Sequence, residues 1–569
     1  MLHQNERGIT MNGVTILLVS LVFLILAYLL YGRWLAKKWG IDPKAKTPAY
    51  EFEDGVDYVP ADRQVVFGHQ FASIAGAGPI NGPIQAAMFG WIPIMLWCLL
   101  GGVFIGAVHD FSAMYASVKN KGNSIGLIIE QYVGKTGKKL FLLFCWLFCI
   151  LVVAAFADIV ASTFNGFTTS PEGVISTVAI NGSVASTSIM FIVFAIALGI
   201  FFKYTKLNPW INTVIAVGLL VLSIVIGLAF PIYQTLSFWH IAVFIYIFAA
   251  SVLPVWLLLQ PRDYLNSYLL IVMMVAAVVG IFVYNPEVNL IGFAGFTVNN
   301  QYLFPTLFVT IACGAISGFH SLVSSGTSSK QIKNEKDMLP VSFGSMLLEV
   351  LLSIISLITV AYLATGAMGT ELPTGTPAQI FATAIATFLS KIGIDVNFSS
   401  TLITLAVSAF ALTSLDSVAR VGRLSFQELF MDADKNDGKT SGVTKVFTNK
   451  YVATTLTLVL GYMLAKVGYK EIWPLFGSAN QLLAALSLVA CSVFLKHTKR
   501  QGWMLWGPMV FMLAVTFTAL VIVLSTTFGK VMVSGATIGL ILQLVFGVLL
   551  FCLGLIVAGL GFKKLTAKE

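Results

Sequence analysis

The feature that most constrains this chain is a succession of apolar runs, each about 17–28 residues long, the length that spans a bilayer as an α-helix. They fall near 13–35, 66–89, 90–118, 140–164, 185–202, 209–230, 238–259, 264–284, 304–326, 341–366, 398–418, 451–467, 473–495, 503–526 and 533–561. Backbone groups in lipid must be hydrogen-bonded within the segment or in a closed barrel, and these runs lack the short alternating pattern of barrel strands. Only 10% of residues are charged and 57% are hydrophobic, whereas soluble domains carry about 25% charged residues. The expected class is an all-α polytopic membrane protein.

Basic residues order the spans, because short cytoplasmic loops collect Lys and Arg. They occupy alternate loops, at 37–46, 119–139, Lys203 with Lys206, Arg262, 330–336, 420–450, 496–500 and 563–568. The loops at 165–184, 231–237, 285–303 and 367–376 hold none. This pattern places the C-terminus in the cytoplasm and the N-terminus outside, with Lys466, Lys470 and Lys530 misplaced in the last hairpins. The first run has no small-residue cleavage site and ends in Arg33, Lys37 and Lys38, as a retained helix does. The net charge of +9 is scattered over short loops, so lipid is the expected partner and nucleic acid is not. All six cysteines lie in apolar segments, and Cys145 and Cys149 are a helical turn apart rather than in a CxxC pair. Segment 377–393 is too short to span and reads as an external amphipathic helix. The polar stretch MDADKNDGKTSG at 431–442 resembles a calcium loop but lacks the final Glu, which favours a solvated linker.

One run is broken by its own composition. The stretch FGHQFASIAGAGPINGPIQ from Phe67 to Gln85 places Gly76, Gly78, Pro79, Gly82 and Pro83 close together. Glycine and proline weaken a helix and leave backbone groups unpaired. In a bilayer these are tolerated only inside protein or around a cavity. Transporters use such breaks twice, in matching positions of inverted repeats. The second is expected at 238–259, which carries Pro254 mid-span, with Pro261 just beyond. The chain then divides into an N-terminal helix and cytoplasmic loop (1–65), two five-helix repeats (66–230 and 238–418), a cytoplasmic linker (419–450) and C-terminal helices (451–569).

Six stretches carry a resemblance: FGHQFASIAGAGPINGP, GAVHDF at 106–111, LLLQPRDYLNSYL at 258–270, CGAISGFHSLVSSGT at 313–327, LTSLDSVARVGR at 412–423 and WPLFGSANQLLAAL at 473–486. Together they resemble the carbon starvation protein (CstA) family, which includes pyruvate transporters, over roughly residues 15–560. The resemblance implies a bacterial inner-membrane secondary transporter induced on carbon limitation, with pyruvate and short peptides as cargo and proton coupling. It also implies a LeuT-like 5+5 inverted-repeat core with one extra N-terminal and about four extra C-terminal helices. Where the family often has two histidines, this chain has His69 and Gln70.

Polar groups in lipid are functional candidates by default. A cargo carboxylate needs positive potential, and the amides around Gly76, Gly78 and Pro79 at a half-helix end can supply it. Ser317, His320, Ser321 and Ser324 share one helix face and offer neutral donors. Ser324 and Ser325, with main-chain carbonyls, are the alternative for a sodium ion. His69, Asp110, Asp158 and Asp416 are the candidate proton carriers, and Glu349 is a further intramembrane acid. Adjacent residues on a helix diverge by about 100°, so Asp110 rather than His109 is expected to face the bundle. Asp416 lies a turn from Arg420, so a structural ion pair fits it equally well. Three other classes compete with a symporter. His69, His109 and Asp110 are suitable zinc ligands but lack HxxxH or HExxH spacing. A sensor would use the 419–450 loop, though no signalling domain is recognisable. No GxSxG or similar motif points to an enzyme, and no cofactor is expected. The oligomeric state stays open.

Overall fold

The computed structural model describes residues 11–54, 58–169, 174–205, 209–253, 257–366, 369–430 and 442–567. Its described residues are almost entirely helical, with two small two-stranded sheets, Phe167–Thr169 with Ile175–Thr177 and Thr297–Val298 with Gln301–Tyr302. In chain order the main helices are α1 (Gly13–Trp39), α2 (Arg63–Ile74), α3 (Gly78–Ala86), α4 (Trp91–Lys119), α5 (Ile125–Tyr132) and α6 (Lys135–Phe164). There follow α7 (Ala179–Tyr204), α8 (Pro209–Ala229), α9 (Leu236–Val252), α10 (Leu259–Tyr284), α11 (Leu303–Thr310), α12 (Gly318–Gly326) and α13 (Glu335–Leu363). The last six are α14 (Pro377–Ser390), α15 (Val396–Phe430), α16 (Lys450–Ala465), α17 (Tyr469–His497), α18 (Trp503–Ser534) and α19 (Ile538–Thr566).

Among the described residues, eleven helices are long and apolar enough to cross a membrane. The other apolar runs of the sequence are the interrupted pairs α2/α3 and α11/α12 and the shorter helices α9 and α16. α6 and α15 lie along each other at the centre, with α17 against α6. The apolar length of α17 is 100% buried, against 28% for α1 and α8. The outer helices turn Leu30, Val214, Ile245 and Val545 outward, a surface that only lipid or another apolar body can cover.

The element order repeats. An interrupted pair (α2/α3) precedes a span with a wide π-helical stretch at Trp97–Ala107, then a short helix (α5) and a long one (α6). The same series recurs as α11/α12, a span with π-helical Leu339–Gly344, short α14 and long α15. π-turns of this kind concentrate at functional sites. The interrupted pairs run antiparallel. Gln70 of α2 bonds to Ser324 and Ser328 at the far end of α12, while Gly82 of α3 lies against Thr310 and Ile311 at the end of α11.

The run at 238–259, where a second break was expected, is interrupted, its helix ending at Val252. That helix is α9, and α10 begins anew at Leu259 with Pro261 in its first turn, where a missing N–H breaks no helical bond. Pro254 lies outside the described residues, as does most of the 431–442 stretch. The interruption that meets the first is 311–317. α17 runs without a break through Pro474. Segment 377–393 does form a helix, α14, closed by a Thr376/Gln379 capping box and packed on α15, with Phe388 against Tyr284 of α10 and Tyr362 of α13.

Residues 40–54 and 58–62, ahead of α2, are tied to the 330–337 segment. The Asp42 amide donates to Glu335 Oε2 at 2.8 Å, Lys119 Nζ to Glu335 Oε1 at 2.5 Å, and the Ala61 amide to the Gln331 carbonyl at 3.1 Å. Lys333 meets Asp62 at 2.6 Å, a bond that raises the lysine pKa.

Candidate functional site

α2 stops at Ile74 because Ala75 leaves the helical region (ψ 57°), and α3 restarts at Gly78, with Pro79 in its first turn. The Gly76 amide bonds to the Ile74 carbonyl at 2.7 Å, whereas Ala77 and Gly78 have no backbone acceptor for theirs. In the second break Ile311 turns out of α11 (ψ 65°), and Ser317 is extended ahead of α12. The carbonyls freed at the end of α11 are answered by tryptophans: Trp97 Nε1 donates to Ile311 O at 3.3 Å and Trp473 Nε1 to Thr310 O at 3.2 Å. The start of α12 is capped by Asn480, whose Oδ1 accepts from the Phe319 amide at 3.3 Å and from Ser317 Oγ at 3.2 Å.

The breaks touch. A Cβ on Gly78 would strike Cys313 Sγ and Cβ, and one on Gly76 would lie 2.5 Å from Ser414 Oγ. Glycine is needed at both points for this close approach. Beside the crossing lies a cavity of about 20 Å³ lined by Ile74, Gly76, Gly78, Cys313, Ser317, His320, Ser414 and Asn480, with Phe148, Phe156, Phe319 and Phe476 around it. Behind His320 is a buried polar cluster. His320 Nδ1 is 3.0 Å from Asp110 Oδ2, Asp110 Oδ1 is 2.8 Å from His109 Nδ1, and His320 Nε2 is 3.3 Å from Glu349 Oε2. None of the four is more than 1% exposed.

The chain matches the family described as carbon starvation protein CstA over residues 12–370 and 367–519. It belongs to that family. The peptide transporter CstA of Escherichia coli (strain K12) is 32% identical, over 90% of this chain and 81% of that protein. The pyruvate/proton symporter BtsT of the same organism is 32% identical, over 92% and 83%. A crystal structure of the Eremococcus coleocola manganese transporter aligns over 90% of this chain and 98% of its own, with 12% identity and a TM-score of 0.49.

Within this CstA-family chain the expected site residues separate into groups. Gly76, Gly78, Ser317 and His320 line the cavity, and Pro79 follows in the first turn of α3. Ser321 points away, bonding Gly318 O at 2.7 Å and Ser487 Oγ at 2.8 Å. Asp110 joins the polar cluster, and His109 joins it too, since a ring can reach back to the neighbouring carboxylate. The expectation that only one of the two faces inward is therefore corrected. Ser324 accepts from Gln70 Nε2 at 2.9 Å, and Ser325 donates to Ser321 O at 2.6 Å while accepting the Ile125 amide at 3.2 Å. Neither serine lines the cavity. His69 stands apart on α2, where the nearby charge is Asp263 of α10. It does not join His109 and Asp110, and no group of three His, Cys, Asp or Glu among the described residues is arranged to hold a metal ion, which corrects the zinc-ligand set.

Asp158 is not among the cavity-lining residues. Its carboxylate bonds His240 Nε2 at 2.7 Å and accepts the Tyr469 amide at 2.6 Å, capping the start of α17. Asp416 pairs with Arg262, not Arg420, and accepts from Tyr246 OH at 2.9 Å. Arg262, expected in a cytoplasmic loop, is 1% exposed. Arg420 and Arg423 instead donate to the Ala250, Ser251 and Leu253 carbonyls that end α9. Sequence reasoning missed Asn480, Ser414 and the four phenylalanines of the cavity. Asn480 carried a signal, as one of two adjacent amides with Gln481 in a largely apolar span, but nothing in the sequence marked which phenylalanines turn inward.

Proposed function

We propose that this protein is a secondary active transporter that takes up a small carboxylate such as pyruvate, or short peptides, by proton symport. One observation carries the reading: two antiparallel interrupted helices cross at their breaks beside a buried cavity. A cavity of about 20 Å³ admits a water but is smaller than pyruvate or a dipeptide. Cargo must therefore move the lining, and alternating access supplies that motion. The Ala77 and Gly78 amides, with Ser317, His320 and Asn480, supply donors for a carboxylate where no Lys or Arg lines the wall. The names of the two E. coli relatives, a peptide transporter and a pyruvate/proton symporter, support both cargo classes.

A proton is the better coupling ion because Asp110 and His320 stand together beside the cavity, whereas the Ser324 and Ser325 hydroxyls are engaged by protein groups. The repeats are drawn at 63–284 and 303–497, in place of 66–230 and 238–418, because the interrupted pairs mark equivalent starting points. Helix α1 and helices α18–α19 then lie outside them, and the hairpin α7–α8 is an insertion within the first. The protein sits in the bacterial inner membrane, N-terminus outside, with the 419–450 linker and the C-terminus in the cytoplasm. Purified protein in proteoliposomes, given labelled pyruvate or dialanine with proton and sodium gradients imposed separately, tests this. Uptake should rise with an inward proton gradient and ignore sodium. Uptake indifferent to the proton gradient rejects proton symport, and no uptake of either probe rejects the transport reading.

A further inference from the structure

We propose that Glu349 holds the coupling proton and that His320 transmits its charge to the second break; the inference rests on the proton-symport reading above. Glu349 of α13 is 0% exposed, and neither of its carboxylate oxygens has a hydrogen-bond donor among the described residues. His320 Nε2 lies 3.3 Å from Oε2 yet is not aligned as a hydrogen bond. The other ring nitrogen is held by Asp110, which also holds His109. The cluster thus joins three elements: α4 after the first interrupted pair, α12 as the second half of the second pair, and α13 after it. His320 alone of the four lines the cavity.

The groups facing Glu349 are few. His320 and Asp110 act on it directly, and its charge bears in turn on the Cys313 thiol. α3, residues 97–107 and α14, all packed on α13, carry no charged side chain, and α1 brings Arg33, Lys37 and Lys38 in its last turns. α2 brings Arg63 and His69, and α10 brings Arg262 and Asp263, none of which pairs with Glu349. A carboxylate without donors in apolar surroundings is far more costly charged than neutral. Asp110, by contrast, has two imidazole partners. Glu349 is therefore the acid that gains a proton.

The step balances simply. A hydronium ion from the outer face yields its proton to a Glu349 oxygen, forming an O–H bond and leaving water. The charge attraction that draws the His320 ring toward α13 is then removed, and α12 is free to follow cargo. On opening to the inside the O–H bond breaks, the proton passes to inner water and the His320–Glu349 attraction returns.

Full-length protein in proteoliposomes tests this with labelled pyruvate and dialanine. In Glu349→Gln, accumulation driven by the proton gradient should fall roughly tenfold or more, while cargo exchange at equal pH stays within about twofold of wild type. Should the amide fail to fold, Glu349→Asp keeps the acid at a shorter reach, and the pH of half-maximal uptake should move. Gradient-driven accumulation retained in Glu349→Gln, equal loss of exchange and accumulation, or an unmoved pH midpoint in Glu349→Asp overturns the inference alone. Wild-type vesicles that take up neither probe overturn the transport reading and this inference with it.

Discussion

Asp158, Asp416 and Asp110 are all acids in apolar stretches, yet their partners differ in kind. Asp158 caps a helix and meets an imidazole, Asp416 neutralises a buried guanidinium, and Asp110 shares two histidines beside the cavity. The burial of each was legible in the sequence, because a charged residue within an apolar run has few places to go. The partners were not, since His240 and Arg262 lie 82 and 154 residues from the acids they meet. Removing one member of a buried ion pair strands the other, at about 3–5 kcal/mol, whereas apolar replacement of both is close to neutral. Asp416→Ala should therefore lower stability in detergent by about that amount, and Asp416→Leu with Arg262→Met should recover most of it. Denaturant unfolding of the purified variants measures both. A double variant as unstable as the single one would show that the pair does more than balance charge.

The two interrupted helices differed in how openly they declared themselves. The first carries Gly76, Gly78, Pro79, Gly82 and Pro83 and can hardly be read otherwise. The second, TIACGAISG at 310–318, has one internal glycine and no proline before its N-terminal cap. Its break is sustained from outside, by the Trp97 and Trp473 indoles on its carbonyls and Asn480 on its restart. Pro254 drew attention elsewhere because a proline announces a helix boundary whether or not that boundary faces a site. The crossing itself can be tested by exchanging volume between the segments. Gly78→Ala should reduce uptake roughly tenfold by pushing on Cys313, and adding Cys313→Gly should restore most of it, a coupling of about 1 kcal/mol or more. Proteoliposome uptake by the two single variants and the double one measures the coupling, and additive losses would separate the two breaks.

Over the whole molecule, the spans and their order were legible from apolar run length, and even one misfit now has a cause. Lys530, on the wrong side by the charge rule, pairs with Glu471 at the same end of the bundle. What length and charge could not convey is how the loops hold one another. Glu335, 3% exposed, takes both the Lys119 ammonium and the Asp42 amide, so it fastens the leader of α2 to the start of α13. Glu335→Gln should loosen that end and raise the fraction of molecules open there. Faster modification of Cys313 by an impermeant maleimide added on that side would register the change, and an unaltered rate would show the tie to be passive. The readout exists because of where that sulfur sits. Cys98, Cys145, Cys149 and Cys491 are buried and Cys552 lies on the lipid-facing surface, while Cys313 borders the cavity at the crossing. The wild-type chain therefore carries its own indicator dye site: a water-borne thiol label marks whichever mouth is ajar, without a single engineered residue.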